Sequence, residues 1–555
     1  MMINFPRLLC FKVPKSIERC QRPVSHIAKH KMVPNCQMTE VVERAKCVTP
    51  HITSRPPSVV IVGGGLAALS AAERLENAGI HDVKILEAQK EIGGRVKTCK
   101  LNRTNIELGA YQIEGACVAN PIYNLAHTEC LLCALPSAQK RRPRKEYYFN
   151  TDGRMVLEYD EAKQYSKKVL DEAAAFFTSK TDSVHWNLHE FVQNRLTAVV
   201  DNLPTESRLD FQMAIDGLMN CLKAKVGDDL RNISLKDFGS AIDIPGGNLP
   251  FPNGASSLIN ALDTNCNVLL EKVVQKISYG TKTVGQPVLV QCCDGSAYPC
   301  DYCIFTASLG VLKTLADTMF FPSLPQYKTD AIQKIGFGFL TVIFFQYTKP
   351  FWNKGEDFTM RISWTKEETA TKTEWAQGIC SIGEVYGPDH VLKVTVVGKA
   401  AEWAEKLEEG QIAEEFTTFL RKTTGDHSLP CPVEVVKSDW CTNIHFLGTK
   451  SYLGLGSTVA DQCALAEPVP GPCADGPPSL MFAGEATCPG HFGTLQGARL
   501  SGIREADRII DLTIEMKGAP PVPNLGILPP LHPCVSDDTP TCEERKCEKA
   551  QCEKP

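Results

Sequence analysis

Between Val59 and Thr98 the chain reads VVIVGGGLAALSAAERLENAGIHDVKILEAQKEIGGRVKT. A short apolar run, Val59 to Val62, stops at Gly63-Gly64-Gly65. An Ala-rich stretch of helical character follows as far as Gly79. A second apolar run, Val83 to Leu86, then ends in Glu87. Strand, glycine turn, helix, strand and acid in this order constrain the chain to a βαβ unit in a parallel sheet. Glu87 falls 22 residues after Gly65, close to the spacing of about 20 at which an acid meets a ribose. Gly63 permits the tight turn, and Gly65 lets the backbone approach a pyrophosphate. Ala68 is about as large as close helix–strand packing allows. The helix N-terminus, at Leu66 and Ala67, offers free N–H groups and a partial positive charge to phosphates. Glu87 can accept hydrogen bonds from ribose hydroxyls, and its charge disfavours a 2′-phosphate. The segment predicts a dinucleotide site.

Gly93-Gly94-Arg95 follows the acid and would bring a guanidinium fork near the same phosphates, which a nicotinamide site does not need. At this point the chain resembles the flavin-dependent amine oxidases, in which a GGR element follows the first βαβ unit and helps to bind FAD. The resemblance implies an α/β protein: a Rossmann-type FAD-binding domain with a discontinuous α+β substrate-binding domain. Four further segments carry it. Glu107-Leu-Gly-Ala-Tyr-Gln-Ile-Glu-Gly115, followed by Asn120-Pro121, is similar to a run that lies along the flavin in polyamine oxidases. Glu114 takes the place of the polar residue that projects into the substrate tunnel, and a carboxylate there suits a cationic amine. Phe238 to Leu258 contains glycine–proline loops ahead of a helix expected near Ser256, and Val268 to Ile277 reads as one strand. By resemblance, Val274 meets the adenine through its backbone. Asp301 to Lys313 reads as a strand turning into a helix. Last, Ser479 to Thr487 is a strand ending at Gly484-Glu485, and a long helix is expected to begin near Thr494. The resemblance gives Glu485 to the ribityl hydroxyls and the amides of Thr494 and Leu495 to the flavin N1–C2=O edge, where a helix N-terminus favours negative charge.

Three segments depart from the family pattern, all on the reacting side. In Gly336 to Phe345 the family lysine that holds a water against flavin N5 falls on Val342, which has no donor. In Gly448-Thr449-Lys450-Ser451 a residue that is aromatic in the family becomes Lys450. Thr449 replaces the cysteine that tethers FAD covalently in monoamine oxidases, so the FAD is expected to be noncovalent. Gln112 stands where tryptophan is usual. Burial of Lys450 would favour its neutral form. Glu114 and Lys450 are the catalytic candidates. The cofactor candidates are Gly63, Gly65, Leu66, Ala67, Glu87, Gly94, Arg95, Val274, Glu485, Thr494 and Leu495.

Composition sets limits around this reading. The 555 residues suffice for two to four domains. The net charge of −5 argues against a general nucleic-acid binder, and no apolar run reaches the ~18 residues of a membrane span. The 24 cysteines are scattered and suggest reduced thiols in an intracellular protein. Two C-x-x-C pairs, Cys130/Cys133 and Cys300/Cys303, have zinc-ligand spacing, but the second leads straight into an apolar strand, and no metal is expected. Residues 1–57 form a basic leader, expected to be disordered. The FAD-binding domain is expected over 58–113, 238–312 and 455–512, the substrate domain over 114–237 and 313–454, and a Pro/Cys-rich tail over 513–555. The expected compartment is cytoplasmic, with a mitochondrial address as the alternative; the terminal Cys-Glu-Lys-Pro is not a peroxisomal signal.

The expected function is oxidation of a small amine, a polyamine, by FAD and O2. The expected partners are substrate and O2, without nucleic acid. The alternative is an FAD-binding module with weak or lost oxidase activity. A histone-lysine demethylase relative is disfavoured, because no long coiled-coil insertion interrupts the substrate segments.

Overall fold

The computed structural model describes residues 56–132, 144–157, 159–179, 187–262, 266–280, 286–354, 356–364, 374–470 and 477–517. The leader expected over 1–57 lies almost wholly outside these residues, as do Cys133 and the tail beyond 517. The last helix runs to Lys517.

Val59–Val62 is buried at every residue, as a strand of a parallel sheet covered on both faces should be. It lies inside a six-stranded sheet. Val83–Leu86 and Tyr302–Phe305 flank it in parallel, and Asn267–Leu269 and Pro478–Phe482 lie parallel beyond them. Val469–Pro470 closes one edge antiparallel. The register aligns Val62 with Leu86 and Phe305, and Phe305 with Phe482. The residues that follow these strands, Gly63, Glu87, Thr306 and Ala483, therefore meet at one edge. Ligands of open parallel sheets bind at that carboxyl edge.

The run Val268 to Ile277 is not one strand. Asn267–Leu269 joins the six-stranded sheet, and Val274–Tyr279 joins a separate four-stranded sheet. The chain breaks at Glu271, which has φ +58°. The turn is held from outside: Glu271 N–H donates to the Gln89 carbonyl at 3.0 Å and Lys272 N–H to the Glu87 carbonyl at 2.8 Å.

A seven-stranded, mostly antiparallel sheet forms the second layer, with Leu340–Tyr347 and His390–Val397 side by side within it. Period-two alternation divides its faces. Ile343, Phe345 and Tyr347 pack towards the helix Glu409–Thr424, where Phe345 stacks on Phe416 at 4.1 Å. Val342 and Phe344 turn the other way, onto Leu101, Ile106, Leu108 and Trp440. After the first two strands of this sheet in chain order come three α-helices, Asp160–Ala175, Leu188–Val200 and Thr205–Val226. The third is fastened to the sheet by Asn220, whose amide donates to the Ile362 and Ile379 carbonyls at 3.1 and 2.8 Å.

The helices Leu66–Asn77 and Leu495–Lys517 press together. On Leu495–Lys517, a Cβ built on Gly502 would lie 2.0 Å from the Ala67 carbonyl oxygen. Arg499 pairs with Glu73 at 2.9 Å and Arg74 with Asp507 at 2.6 Å. A backbone atom cannot swing aside, so Gly502→Ala is expected to cost about 1–3 kcal/mol. Gly410→Ala, in a helix where a Cβ would meet nothing within 4 Å, should be neutral or stabilise by up to ~1 kcal/mol. Thermal unfolding of the two variants beside the parent checks the contrast.

Candidate active site

The glycine turn is held by the acid that ends the second strand. Gly63, at φ +99°, donates its N–H to the Leu86 carbonyl at 2.8 Å. Gly64 N–H donates to Glu87 Oε2 at 2.5 Å, and Gln89 N–H to Oε1 at 2.8 Å. Glu87 is buried. Each of its oxygens keeps a second acceptor direction, so the carboxylate is oriented by the backbone and still able to bind a hydroxyl. Lys272 N–H, on the Glu87 carbonyl, brings Val274 into the same neighbourhood two residues later. Val274 begins its strand and is buried.

A Cβ on Gly65 would meet nothing within 4 Å, so open space lies against its backbone. Gly94, at φ +59°, closes on that backbone from the other side, with its Cβ position 3.3 Å from Gly65 Cα. Gly65 caps the helix that begins at Leu66 and Ala67, and no side chain caps it. The first helical N–H groups have no partner within the helix, and the dipole favours an anion there. A glycine-lined space, a helix N-terminus and an oriented carboxylate at the sheet's carboxyl edge fit the pyrophosphate and ribose of a dinucleotide cofactor.

Arg95 and Glu485, expected as two separate cofactor contacts, meet each other. Arg95 Nη1 donates to Glu485 Oε1 at 3.0 Å and to the Thr449 carbonyl at 2.6 Å. Its guanidinium lies over the Phe337 ring, 5.6 Å from the centroid. Glu485 Oε2 accepts from Ser451 Oγ at 2.5 Å, Gly493 N–H at 2.6 Å and Ser451 N–H at 3.3 Å. Thr494 follows Gly493. Its hydroxyl donates to the His491 carbonyl at 2.5 Å and accepts from Gly497 N–H at 3.1 Å, shaping the entry to the helix that begins at Leu495. Sequence reasoning missed Ser451 and Gly493. Ser451 ends the Gly448–Ser451 run and Gly493 directly precedes Thr494, and nothing local marks either as a carboxylate donor.

On the opposite side, Glu114 ends the strand Gln112–Glu114 and is exposed. Its carbonyl is fixed by the Asn120 amide at 2.7 Å. Lys450 begins the strand Lys450–Tyr452, paired to Gly336–Gly338. Its stem fills the space beside Gly227, where a Cβ would come 2.7 Å from Lys450 Cγ. Its Nζ donates to the Lys225 carbonyl at 3.0 Å. Burial lowers the Lys450 pKa. The charges of Glu114 and Glu485 work against that shift, and those of Lys225 and Arg95 add to it. Glu114 and Lys450 therefore lie within electrostatic reach of each other. Val342 is 3% exposed, its N–H donating to Ser438 Oγ and its carbonyl accepting from Ser438 N–H, both at 3.0 Å. Thr449 is engaged by the Gly338 carbonyl, through its hydroxyl at 2.8 Å and its N–H at 2.9 Å. Cys300 and Cys303 are buried, and among the described residues no group of side chains could hold a metal ion.

Residues 66–510 match the family described as flavin containing amine oxidoreductase. The chain is similar to the peroxisomal N(1)-acetyl-spermine/spermidine oxidase of Homo sapiens, with 31% identity over 82% of this chain and 95% of that protein. It is similar to polyamine oxidase 1 of Oryza sativa subsp. japonica, with 27% identity over 83% of this chain and 98% of that protein. In fold it matches a double mutant of putrescine oxidase redesigned in cofactor binding, with a TM-score of 0.62 and 16% identity, covering 82% of this chain and 99% of that one.

The Arg95–Glu485 contact makes a stability prediction. Glu485→Gln leaves a guanidinium in a largely enclosed place without its carboxylate, an expected loss of about 2–3 kcal/mol. In a denaturant double-mutant cycle with Arg95→Met, the coupling should exceed about 1 kcal/mol. A coupling near zero would show that the pair does not hold the junction.

Proposed function

The chain belongs to the flavin containing amine oxidoreductases, and from that premise we propose that it oxidises polyamines: spermine, spermidine or their acetylated forms. FAD, when bound, would supply the oxidising power for the C–H beside the amine nitrogen, with O2 as the final electron acceptor and water hydrolysing the imine, the overall products being H2O2, an aldehyde and a shorter amine. The proposed FAD part is 58–113, 238–312 and 455–512, and the proposed substrate part 114–237 and 313–454.

The observation that carries the substrate reading is Glu114, an exposed carboxylate whose field extends to Lys450. A fixed negative charge attracts and orients a cationic chain. Lys450, drawn aside onto the Lys225 carbonyl and with burial favouring its neutral form, opposes a polycation less than an ordinary ammonium would. At the ADP end, Glu87 is the proposed ribose acceptor, with the helix opening at Leu66 and Ala67 facing the phosphates and Val274 the adenine. Arg95 and Glu485 hold the entry to the Thr494–Leu495 helix, whose first amides are the proposed donors to the flavin ring. Thr449 has no thiol, so the FAD is proposed to be noncovalent. Among the described residues no helix is long and apolar enough to cross a membrane, and the proposed compartment is the cytoplasm.

A second reading rests on Val342. The buried valine gives this wall of the site no donor, as expected of an FAD-binding module that has lost most of its oxidase activity. The purified protein should carry a visible flavin spectrum, bleached anaerobically by at least one of the named amines. A flavin that none of them bleaches would favour the second reading. Val342→Lys separates a decayed site, which gains turnover, from a specialised one, which loses it. Glu114→Gln should raise KM for spermine about tenfold, the scale of ~1.4 kcal/mol for one favourable charge interaction, with kcat changed less. An unchanged KM would remove Glu114 from substrate recognition.

A further inference from the structure

Burial lowers the pKa of five lysines: Lys313, Lys328, Lys393, Lys437 and Lys450. Four of these amines are consumed by the fold. Lys328 donates to the Ala464, Leu465 and Glu467 carbonyls, and Lys313 to those of Ile332 and Gln333. Lys437 donates to the Ala404, Glu405 and Leu407 carbonyls, and Lys450 to that of Lys225. The Nζ of Lys393 has no acceptor and no ion-pair partner among the described residues. What it has is an aromatic face: Nζ lies 4.0 Å from the centroid of the Tyr111 ring.

The strand register says which way this amine points. His390–Val397 pairs antiparallel with Leu340–Tyr347, matching Lys393 to Phe344 and Thr395 to Val342. Side chains alternate across a sheet, so Lys393 shares the inner face with Phe344, Val342 and Thr395, one diagonal step from Val342. Tyr111 belongs to the segment that continues from Ala110, whose N–H donates to the Arg95 carbonyl at 3.1 Å, to Glu114. The lysine therefore lies against the segment that runs from Ala110, held on the Arg95 carbonyl, to Glu114.

We propose that Lys393 is a positioning residue of the flavin site, supplying from the neighbouring strand the N–H donor and positive charge that Val342 cannot, directed past Tyr111 towards the cofactor. This rests on the flavin reading of the site and goes beyond it in naming the group that stabilises the electron-rich reduced ring. A positive charge in a poorly solvated wall favours that form more than it would in water. The Tyr111 face holds the ammonium in place without occupying its donors with a carbonyl.

Lys393 carries its own reporter. Burial pushes its pKa down to about 8, with the Glu107 charge working against the shift. Glu107 is already engaged by Thr98 Oγ at 2.8 Å and Ala255 N–H at 3.0 Å. The titratable groups facing Lys393 across the site are Glu107 and Tyr111. On its own sheet face the adjacent strands contribute Phe344, Val342 and Gly383, and the next charged groups are Arg361 and Glu146, two and three strands away. The covering helix Thr205–Val226 contributes Cys221, whose thiol meets the Cys380 carbonyl.

The test uses the holoprotein. Its flavin absorption is followed from below to above about pH 8, and its reduction potential is measured at pH 7 against a reference dye. The parent should show a spectral transition near pH 8. Lys393→Met should abolish the transition and lower the potential. Lys393→Arg should abolish the transition and keep the potential, because guanidinium stays charged through this range. A transition that survives in either variant, or a potential that Met leaves unchanged, overturns the proposal. If Lys393→Met does not fold, the Arg variant decides, since a merely structural lysine would leave the transition in place. Neither readout requires an amine to react. A parent that binds FAD but oxidises no polyamine refutes the proposed substrate and leaves this inference to its own result.

Discussion

The contact between Arg95 and Glu485 gathers the site from distant parts of the chain. Glu485 is almost wholly enclosed, and a carboxylate so placed would be costly without compensation. It has four donors: Arg95 Nη1, the Ser451 hydroxyl, the Ser451 N–H and the Gly493 N–H. Through them it fixes the Gly93–Arg95 loop after the second strand, the strand that begins at Lys450 and the entry to the helix that begins at Leu495. Arg95 adds the Thr449 carbonyl and the Phe337 ring. Each partner restricts the others, so the Gly94 backbone stays against Gly65, and the two helix N-termini, at Leu66 and Leu495, keep their places relative to one strand edge.

The two halves of the site are made of different material. The cradle is backbone: glycines at positive φ, helix N-termini and a carboxylate that orients N–H groups. Few residues other than glycine can take Gly63 or Gly94 without strain. The proposed reacting side is made of side chains on the seven-stranded sheet and the strands beside it: Val342, Lys393, Lys450 and Glu114. A strand accepts many side chains without changing its path, so chemistry there can be reassigned from one strand to its neighbour. A lysine one diagonal step from Val342 is the kind of change that such a surface allows.

The first βαβ unit was legible in the sequence because each of its signals is local: a buried apolar run, a glycine turn, an Ala-rich helix and an acid at a fixed spacing. Glu87 was legible for the same reason. The break at Glu271 was not, because a positive φ at a glutamate is imposed by carbonyls of Gln89 and Glu87 far away in the chain. Arg95 and Glu485 were each legible as polar residues in glycine-rich motifs. Their pairing across 390 residues was not. Lys450 could be read as a departure from the family pattern, but its bond to the Lys225 carbonyl depends on the close approach at Gly227. Lys393 was silent, since alternation along a strand tells which face a side chain takes and not what stands opposite.

The contact of Gly502 with the Ala67 carbonyl has a consequence for the order of events during synthesis. The helix that begins at Leu66 is made long before the helix that begins at Leu495 and covers it. Val59–Val62 likewise cannot have its full sheet until Pro478–Phe482 has been made. The glycine turn must remain unsealed until that later helix has been made, with apolar strand and helix faces exposed. High contact order of this kind slows folding and exposes intermediates to aggregation. The proposed cofactor site, which draws on both helix N-termini, would be complete only once the later helix is in place.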